Sequence, residues 1–345
     1  MFVQKNLSFK GIMIFTGGHI IWLTLWATIA MLSLQYFELD FLYIPTLPLS
    51  LIGTAVAFYI GFKNNQAYDR LWEARKIWGA IINSSRAWGS AVKGFVSNHF
   101  TDEKLNDDGL HEIKRVLIYR HIAWLYTLRN QLLIPTSWEH ISQGKHVMRK
   151  AAVYRKRVGI GLVDDGEIEE ILKKTLPKDE YTTLINYKNT ATQIIDTQAQ
   201  HLQKLREKGL IDDFRHMELQ KVLYDFYIHQ GKAERIKKFP LPRQYGGMSI
   251  VFVGIFIFLL PFGLFPIFKA MDSFSFWFAI PITVLVAWVY LVMELIGDYS
   301  ENPFEGMGND IPMLALSRVI EIDLREMLGE TDLPPNIEVK NGVLM

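Results

Sequence analysis

The chain has 345 residues, of which half are hydrophobic and 21% are charged, and its formal net charge is +1. This near-zero charge gives no reason to expect nucleic acid as a partner. The absence of cysteine excludes disulfides, iron–sulfur clusters and cysteine zinc sites. The charges are unevenly placed, because four long stretches carry almost none of them.

The first of these stretches, residues 11–37, contains no Asp, Glu, Lys or Arg. A helix needs about 20 such residues to cross the hydrocarbon core of a bilayer. A secretory signal peptide is the competing interpretation, but its apolar region would span only about 7–15 residues. This stretch is longer and contains Trp22 and Trp26. It therefore predicts a membrane-spanning helix.

Three further apolar stretches predict three more spans, at residues 41–62, 244–268 and 273–293. Pro45 and Pro48 lie near the start of the second span, where a helix tolerates proline best. Helices buried inside soluble proteins are rarely so long and so free of charge. Four such runs in one chain favour an integral membrane protein.

The flanking charges predict the orientation of the spans, because cytoplasmic ends carry an excess of Lys and Arg. We expect both termini and the middle region to be cytoplasmic. This organisation divides the chain into 1–62, 63–243, 244–296 and 297–345, with spans in the first and third parts. The basic flanks are Lys5 and Lys10, then Lys63, Arg70 and Arg75, then Arg235, Lys237, Lys238 and Arg243, whereas the outer links carry Glu38, Asp40, Lys269 and Asp272.

The middle region reads mainly as helix, because apolar residues recur at intervals of three and four. Residues 67–76 contain no breaker, so the second span is predicted to continue straight out of the bilayer. Residues 135–178 are richer in polar residues and glycine and predict short helices or a looser insertion. Longer helices are expected at about 181–207 and 211–232. The tail after Pro334 is expected to be mobile.

Motifs for catalysis are absent or weak. Gly159 and Gly161 form a lone Gly-x-Gly that lacks the third glycine of a dinucleotide site. There is no His-Glu-x-x-His metal motif and no Gly-x-Ser-x-Gly elbow. His19 in the first span is interpreted as a packed histidine. We therefore expect no enzyme activity, no cofactor and no metal site.

Three segments resemble bacterial members of the bestrophin family. Residues 58–79, FYIGFKNNQAYDRLWEARKIWG, are similar to the family's second-helix signature. Residues 232–242 resemble its entry to the third span. Residues 301–304 (ENPF), 309–312 (NDIP) and 320–323 (IEID) resemble the segment after its last span. The matches occur in family order relative to the four spans.

The resemblance implies an all-α homopentamer in the inner membrane of a bacterium, surrounding one central pore for passive flow of small ions. It implies that Thr54, Phe58 and Phe62 line the narrow neck of that pore. Their spacing of four places them on one helical stripe, and rings of phenylalanine can gate ions by dewetting. The alternative is that these aromatic residues pack against neighbouring helices.

The family has a second constriction deeper in the cytoplasmic region, and the resemblance makes Ile211 its candidate. Asp212 and Asp213 beside it would favour cations at the inner mouth. The alternative roles are an apolar residue at a helix start for Ile211 and helix capping for the two aspartates. Similarity to the bacterial type also favours monovalent cations over anions as the permeant ions.

One departure from the family concerns calcium. Animal bestrophins bind it with a run of acids after Asn-Pro-Phe, whereas here only Glu305 and Asp310 are acidic in that stretch. Calcium prefers six to eight oxygen ligands, so calcium gating at this place is not expected. The rival functions are a membrane-anchored signalling or scaffold protein with a partner-binding helical region and, less favoured for want of an inverted repeat, a secondary transporter.

Overall fold

The computed structural model describes residues 1–4, 6, 9–158, 165–271 and 275–345. Several features of the sequence lie outside these residues. They are the flanking charges Lys5 and Asp272, the pair Gly159 and Gly161, and the predicted start of the fourth span at residue 273.

The described part of the chain is built from α-helices, with no β-strand beyond two isolated bridges near the termini. In chain order the helices are α1 (Phe9–Tyr36), α2 (Thr46–Phe95), α3 (Asp107–Leu133), α4 (Lys145–Val158), α5 (Asp165–Thr175), α6 (Lys178–Leu184), α7 (Thr190–Glu207), α8 (Asp213–Lys238), α9 (Arg243–Lys269), α10 (Ala279–Asp298) and α11 (Met313–Met327).

Four of these helices are long and apolar enough to cross a membrane, which confirms the predicted number of spans by length and composition. They correspond to α1, the first part of α2, α9 and α10. The second begins at Thr46 rather than residue 41, because a short 3₁₀ turn and Pro45 precede it. As predicted, α2 continues without a break well past residue 76.

The chain divides into two compact units, which are described separately. The span unit comprises Gln4–Arg70 and Pro240–Glu301. Here α1 and α9 both pack against α10. Helix α2 approaches α9 closely at Gly53, where an added Cβ would lie 2.9 Å from the ring of Phe256. The core of the unit is formed by Leu23, Leu49, Val56, Ile60, Val253, Phe256, Ile257, Leu260, Ala287 and Leu291.

The core unit comprises Met1–Val3, Leu71–Phe239 and Asn302–Met345. Its centre is α3, which packs against α7, α8 and α11. The His121 ring packs against the rings of Trp124 and Phe226, at centroid distances of 5.2 and 4.3 Å. Apolar burial of this extent is the main driving force for folding of the unit. It contains the largest buried cluster of the chain, which includes Trp78, Trp88, Leu117, Leu125, Leu219 and Phe226.

The polar stretch at 135–178 forms α4 and α5, in agreement with the prediction of short helices. Helix α7 ends where Gly209 adopts a φ of 66°, a conformation that favours glycine. The C-terminal tail differs from its prediction. Val343 and Met345 are buried, and the backbone N–H of Leu344 donates to the Met1 carbonyl over 2.9 Å. Residues 340–345 are thus a packed part of the core unit rather than a mobile tail.

Candidate pore-lining segments

Helix α2 presents two distinct faces within the span unit. One face is buried and carries Leu49, Gly53, Val56, Ile60, Lys63 and Ala67. The Tyr290 hydroxyl donates to the Gly53 carbonyl over 3.1 Å, and the Asn64 side-chain amide donates to the Met293 carbonyl over 3.0 Å. These contacts fix the rotation of α2 against α10, so the opposite face is left uncovered by its own chain.

The three proposed neck residues lie on that uncovered face. Phe58 is 66% exposed, Phe62 is 64% exposed, and Thr54 is exposed as well. The Thr54 hydroxyl donates to the Ser50 carbonyl over 2.8 Å, so its donor is satisfied within the helix. The alternative that both phenylalanines pack against neighbouring helices of the same chain therefore does not describe this structure.

A buried ion pair lies directly behind this face, and sequence reasoning missed it. The Lys63 ammonium binds the Glu294 carboxylate, and both side chains are almost fully buried. The Ser249 hydroxyl donates to the same carboxylate over 2.7 Å. The sequence analysis used Lys63 only as one of the basic residues that flank the second span. The available signal was one acid, Glu294, directly after the fourth apolar run.

The segment proposed for the inner constriction belongs to the core unit. The residue that it exposes is not the one expected from the sequence. Ile211 is only 1% exposed and belongs to the main buried cluster. A side chain enclosed by its own chain is not available to line a passage. Phe214, three residues later at the start of α8, is 81% exposed. A surface hollow of about 690 Å³ beside the segment has Phe100, Ile211 and Phe214 in its lining, and of the two candidates Phe214 is by far the more exposed.

The two aspartates at this point have local partners. Asp212 is the N-cap of α8 and accepts from the Arg215 backbone N–H over 2.7 Å, which is the capping role that sequence reasoning left open. Asp213 forms an ion pair with Arg206, and this guanidinium lowers the pKa of the Asp213 carboxyl. The negative charge at this point is therefore partly compensated.

The loop after α10 has buried acids with internal partners. His140 Nδ1 lies 2.9 Å from the Glu305 carboxylate. Asp310 accepts from the backbone N–H groups of Gly306 and Met307 over 2.5 and 2.9 Å. Burial raises the pKa of Asp310 to about 7. Within the residues that the structure describes, no group of three or more His, Cys, Asp or Glu side chains is arranged to hold a metal ion.

Known proteins resemble this chain over most of its length. The family described as Bacterial/Fungal Bestrophin protein matches residues 13–326. The voltage-dependent anion channel-forming protein YneE of Escherichia coli is 26% identical over 290 residues, which cover 84% of this chain and 79% of that protein. The voltage-dependent anion channel-forming protein mll4386 of Mesorhizobium japonicum is 26% identical over 303 residues, or 88% and 81% of the two chains.

Solved structures show the same fold. The crystal structure of a bacterial bestrophin homologue from Klebsiella pneumoniae matches with a TM-score of 0.72 and 21% identity, over 90% of this chain and 98% of that one. The family match begins at residue 13, near the start of the first candidate span, and runs to residue 326. It therefore includes the other three spans and the helices between them. On this basis the chain belongs to the bacterial/fungal bestrophin family.

Proposed function

We propose that the chain forms a homopentameric channel for passive flow of small monovalent ions across a bacterial inner membrane, with both termini and residues 63–243 in the cytoplasm. Five copies of α2 surround one axis. Thr54, Phe58 and Phe62 of each copy face that axis and form a hydrophobic neck, which blocks ions when it loses its water.

The observation that carries this proposal is the uncovered aromatic face of α2. Its opposite face is held by α10 through two side-chain hydrogen bonds to backbone carbonyls and by the Lys63–Glu294 pair. An exposed apolar face in a bilayer can meet lipid, another chain or a pore. The family signature at residues 58–79 begins at this face, and the curated relatives are named channel-forming proteins. Both facts favour the pore.

For the inner constriction we propose Phe214 in place of Ile211. Phe214 is the large apolar side chain of this segment that projects from its own chain. The hollow beside it is lined by the acids Glu207, Asp212 and Asp213 and by the single base Arg206. This excess of carboxylates supports a preference for cations, as proposed from the sequence. The named relatives are described as anion channels, so the sign of the permeant ion is measured separately below.

The test is ion flux through purified protein in liposomes. Phe58→Ala with Phe62→Ala widens the neck and lowers its dewetting barrier, so flux should rise severalfold. The matched control is Phe258→Ala, which removes a half-exposed aromatic side chain from α9 and should leave flux unchanged. The reversal potential under a salt gradient gives the sign of the permeant ion. A value near the chloride potential overturns the cation preference alone.

Two outcomes would contradict the channel itself. One is the absence of current from both the wild type and the widened variant. The other is a mass of the detergent-solubilised protein that corresponds to one or two chains, because a neck shared by five copies of α2 then cannot form. A protein that carries no current but retains a partner on purification would instead be a membrane-anchored scaffold.

A further inference from the structure

Helix α4 has a charge pattern that the proposed channel does not use. Its 14 residues, KHVMRKAAVYRKRV, contain six Lys and Arg residues and no Asp or Glu. Basic helices of this kind bind surfaces rich in negative charge. The common alternative is a solvated face whose charges are balanced by neighbouring acids.

The exposed residues of α4 form a single face. Their spacing of three and four residues is that of one side of a helix. The opposite side carries the buried Ala151 and the partly buried Val147 and Tyr154, so the helix is held in a defined rotation. The exposed face consists of Lys145, Met148, Arg149, Ala152, Val153 and Lys156, with Lys150 at its edge.

These cations lack the balancing acids that other helices provide. Exposed lysines of α5 and α8 pair with a carboxylate one turn away on the same helix. The pairs are Lys173–Glu169 on α5, and Lys221–Glu218 and Lys238–Glu234 on α8. Among the residues that the structure describes, no carboxylate forms an ion pair with Lys145, Arg149, Lys150 or Lys156. Their charge is therefore available to an external anion.

The contacts of α4 tie it to a chain segment that has just left the fourth span. The Tyr154 hydroxyl lies against Gly308 in the core unit. In the sequence, Gly308 follows the last residue of α10, Asp298, by only ten positions. The exposed face of α4 also carries apolar side chains, Met148 and Val153, beside its cations. This mixture suits the boundary between headgroups and acyl chains.

We propose that the exposed face of α4 binds anionic lipid headgroups of the same bilayer that holds the four spans. Each Lys or Arg near such a surface adds to the attraction. The interaction requires only that the chain is a membrane protein, so it does not depend on ion conduction.

The experiment measures hydrogen–deuterium exchange of the full chain in lipid nanodiscs. Discs of phosphatidylcholine alone are compared with discs that contain phosphatidylglycerol. We expect the backbone amides of 145–156 to exchange more slowly in the anionic discs. The triple variant K145Q/R149Q/K156Q should lose this difference, and so should raised salt, because salt screens exposed charges. Equal exchange of these amides in the two kinds of disc would overturn the proposal.

The matched control is K174Q/K204Q/K208Q, which removes three exposed lysines from other parts of the core unit. It should retain the lipid-dependent protection. Protection by soluble polyglutamate in phosphatidylcholine discs, with none from phosphatidylglycerol, would replace the lipid with an acidic protein partner and so overturn the proposal. Flux of the triple variant in phosphatidylcholine liposomes should equal that of the wild type, which separates this inference from the proposed channel.

Discussion

The span unit and the core unit differ in the apolar side chains that they expose. The span unit exposes large apolar side chains such as Leu51, Ile255 and Leu285, and it buries the charged pair Lys63 and Glu294. The core unit buries leucine and tryptophan along α3, and it has exposed ion pairs such as Lys221 with Glu218 as well as a buried one, Lys237 with Glu139. The surroundings account for this difference, because lipid tolerates exposed apolar groups whereas water does not.

Two buried carboxylates, one in each unit, have different kinds of partner. Glu294 in the span unit faces a lysine and a serine hydroxyl. Asp310 in the core unit is held by two backbone N–H groups, and burial raises its pKa to about 7. At Asp310 the cost of burying the charged form outweighs these two hydrogen bonds, which is why its pKa is raised.

The largest effect is expected from breaking the pair in the span unit. Lys63→Met leaves Glu294 buried without its cation and should destabilise the protein by about 3–5 kcal/mol. Glu294→Met alone should cost a similar amount, and the double variant should recover most of the loss. A double-mutant cycle on unfolding in detergent measures the coupling. Additive losses in the double variant would show that the pair is not a unit.

Two leucines, one in each unit, allow the cost of losing a buried side chain to be compared with the cost of losing an exposed one. Leu125 is buried in α3, so Leu125→Ala should reduce the free energy of unfolding by about 2–5 kcal/mol. Leu285 is half-exposed on α10, and Leu285→Ala should cost far less because lipid replaces the lost contacts. Unfolding of the two variants is compared in the same detergent. An equal cost at Leu285 would mean that another chain covers this face.

The smallest effect concerns the titration of Asp310. Its folded pKa of about 7 lies above its ordinary value of 3.8. Folding therefore takes up a proton between these values, and the stability present in acid is lost as the pH rises to about 7. From pH 6 to pH 8 this group should lower the free energy of unfolding by about 1 kcal/mol.

The control for this prediction is Asp310→Asn, which keeps an acceptor for the backbone but cannot titrate. Its unfolding free energy should fall less between pH 6 and pH 8 than that of the wild type. An identical pH slope in the two proteins would exclude Asp310 as its source.

The spans could be predicted from the sequence because the absence of charge over about 20 residues is a local signal. The pairing of Lys63 with Glu294 could not, since it depends on how α2 rotates against α10. The same limit explains why the residue of the proposed inner constriction could not be identified from the sequence. Ile211 and Phe214 are both apolar residues near the start of a helix, and only the packing of α8 shows which one is buried.

The C-terminal residues illustrate a further limit of sequence reasoning. Val343 and Met345 belong to a run of only three apolar residues after a polar stretch, and no periodicity distinguishes them from a free tail. Their burial depends on contacts with residues far away in the sequence, among them Tyr154 and Ala315. The charge pattern of α4, in contrast, was visible in the sequence but had no interpretation until the exposed face was known.

The length and continuity of α2 have a mechanical consequence. The helix runs from Thr46 to Phe95, and its only proline, Pro48, lies in the first turn. A regular helix without an interior proline or an inserted bulge has no hinge, so the wall that carries Phe58 and Phe62 resists local bending. Rotation of the two phenyl rings about their χ1 angles would therefore be the least costly way to change the width of the proposed neck.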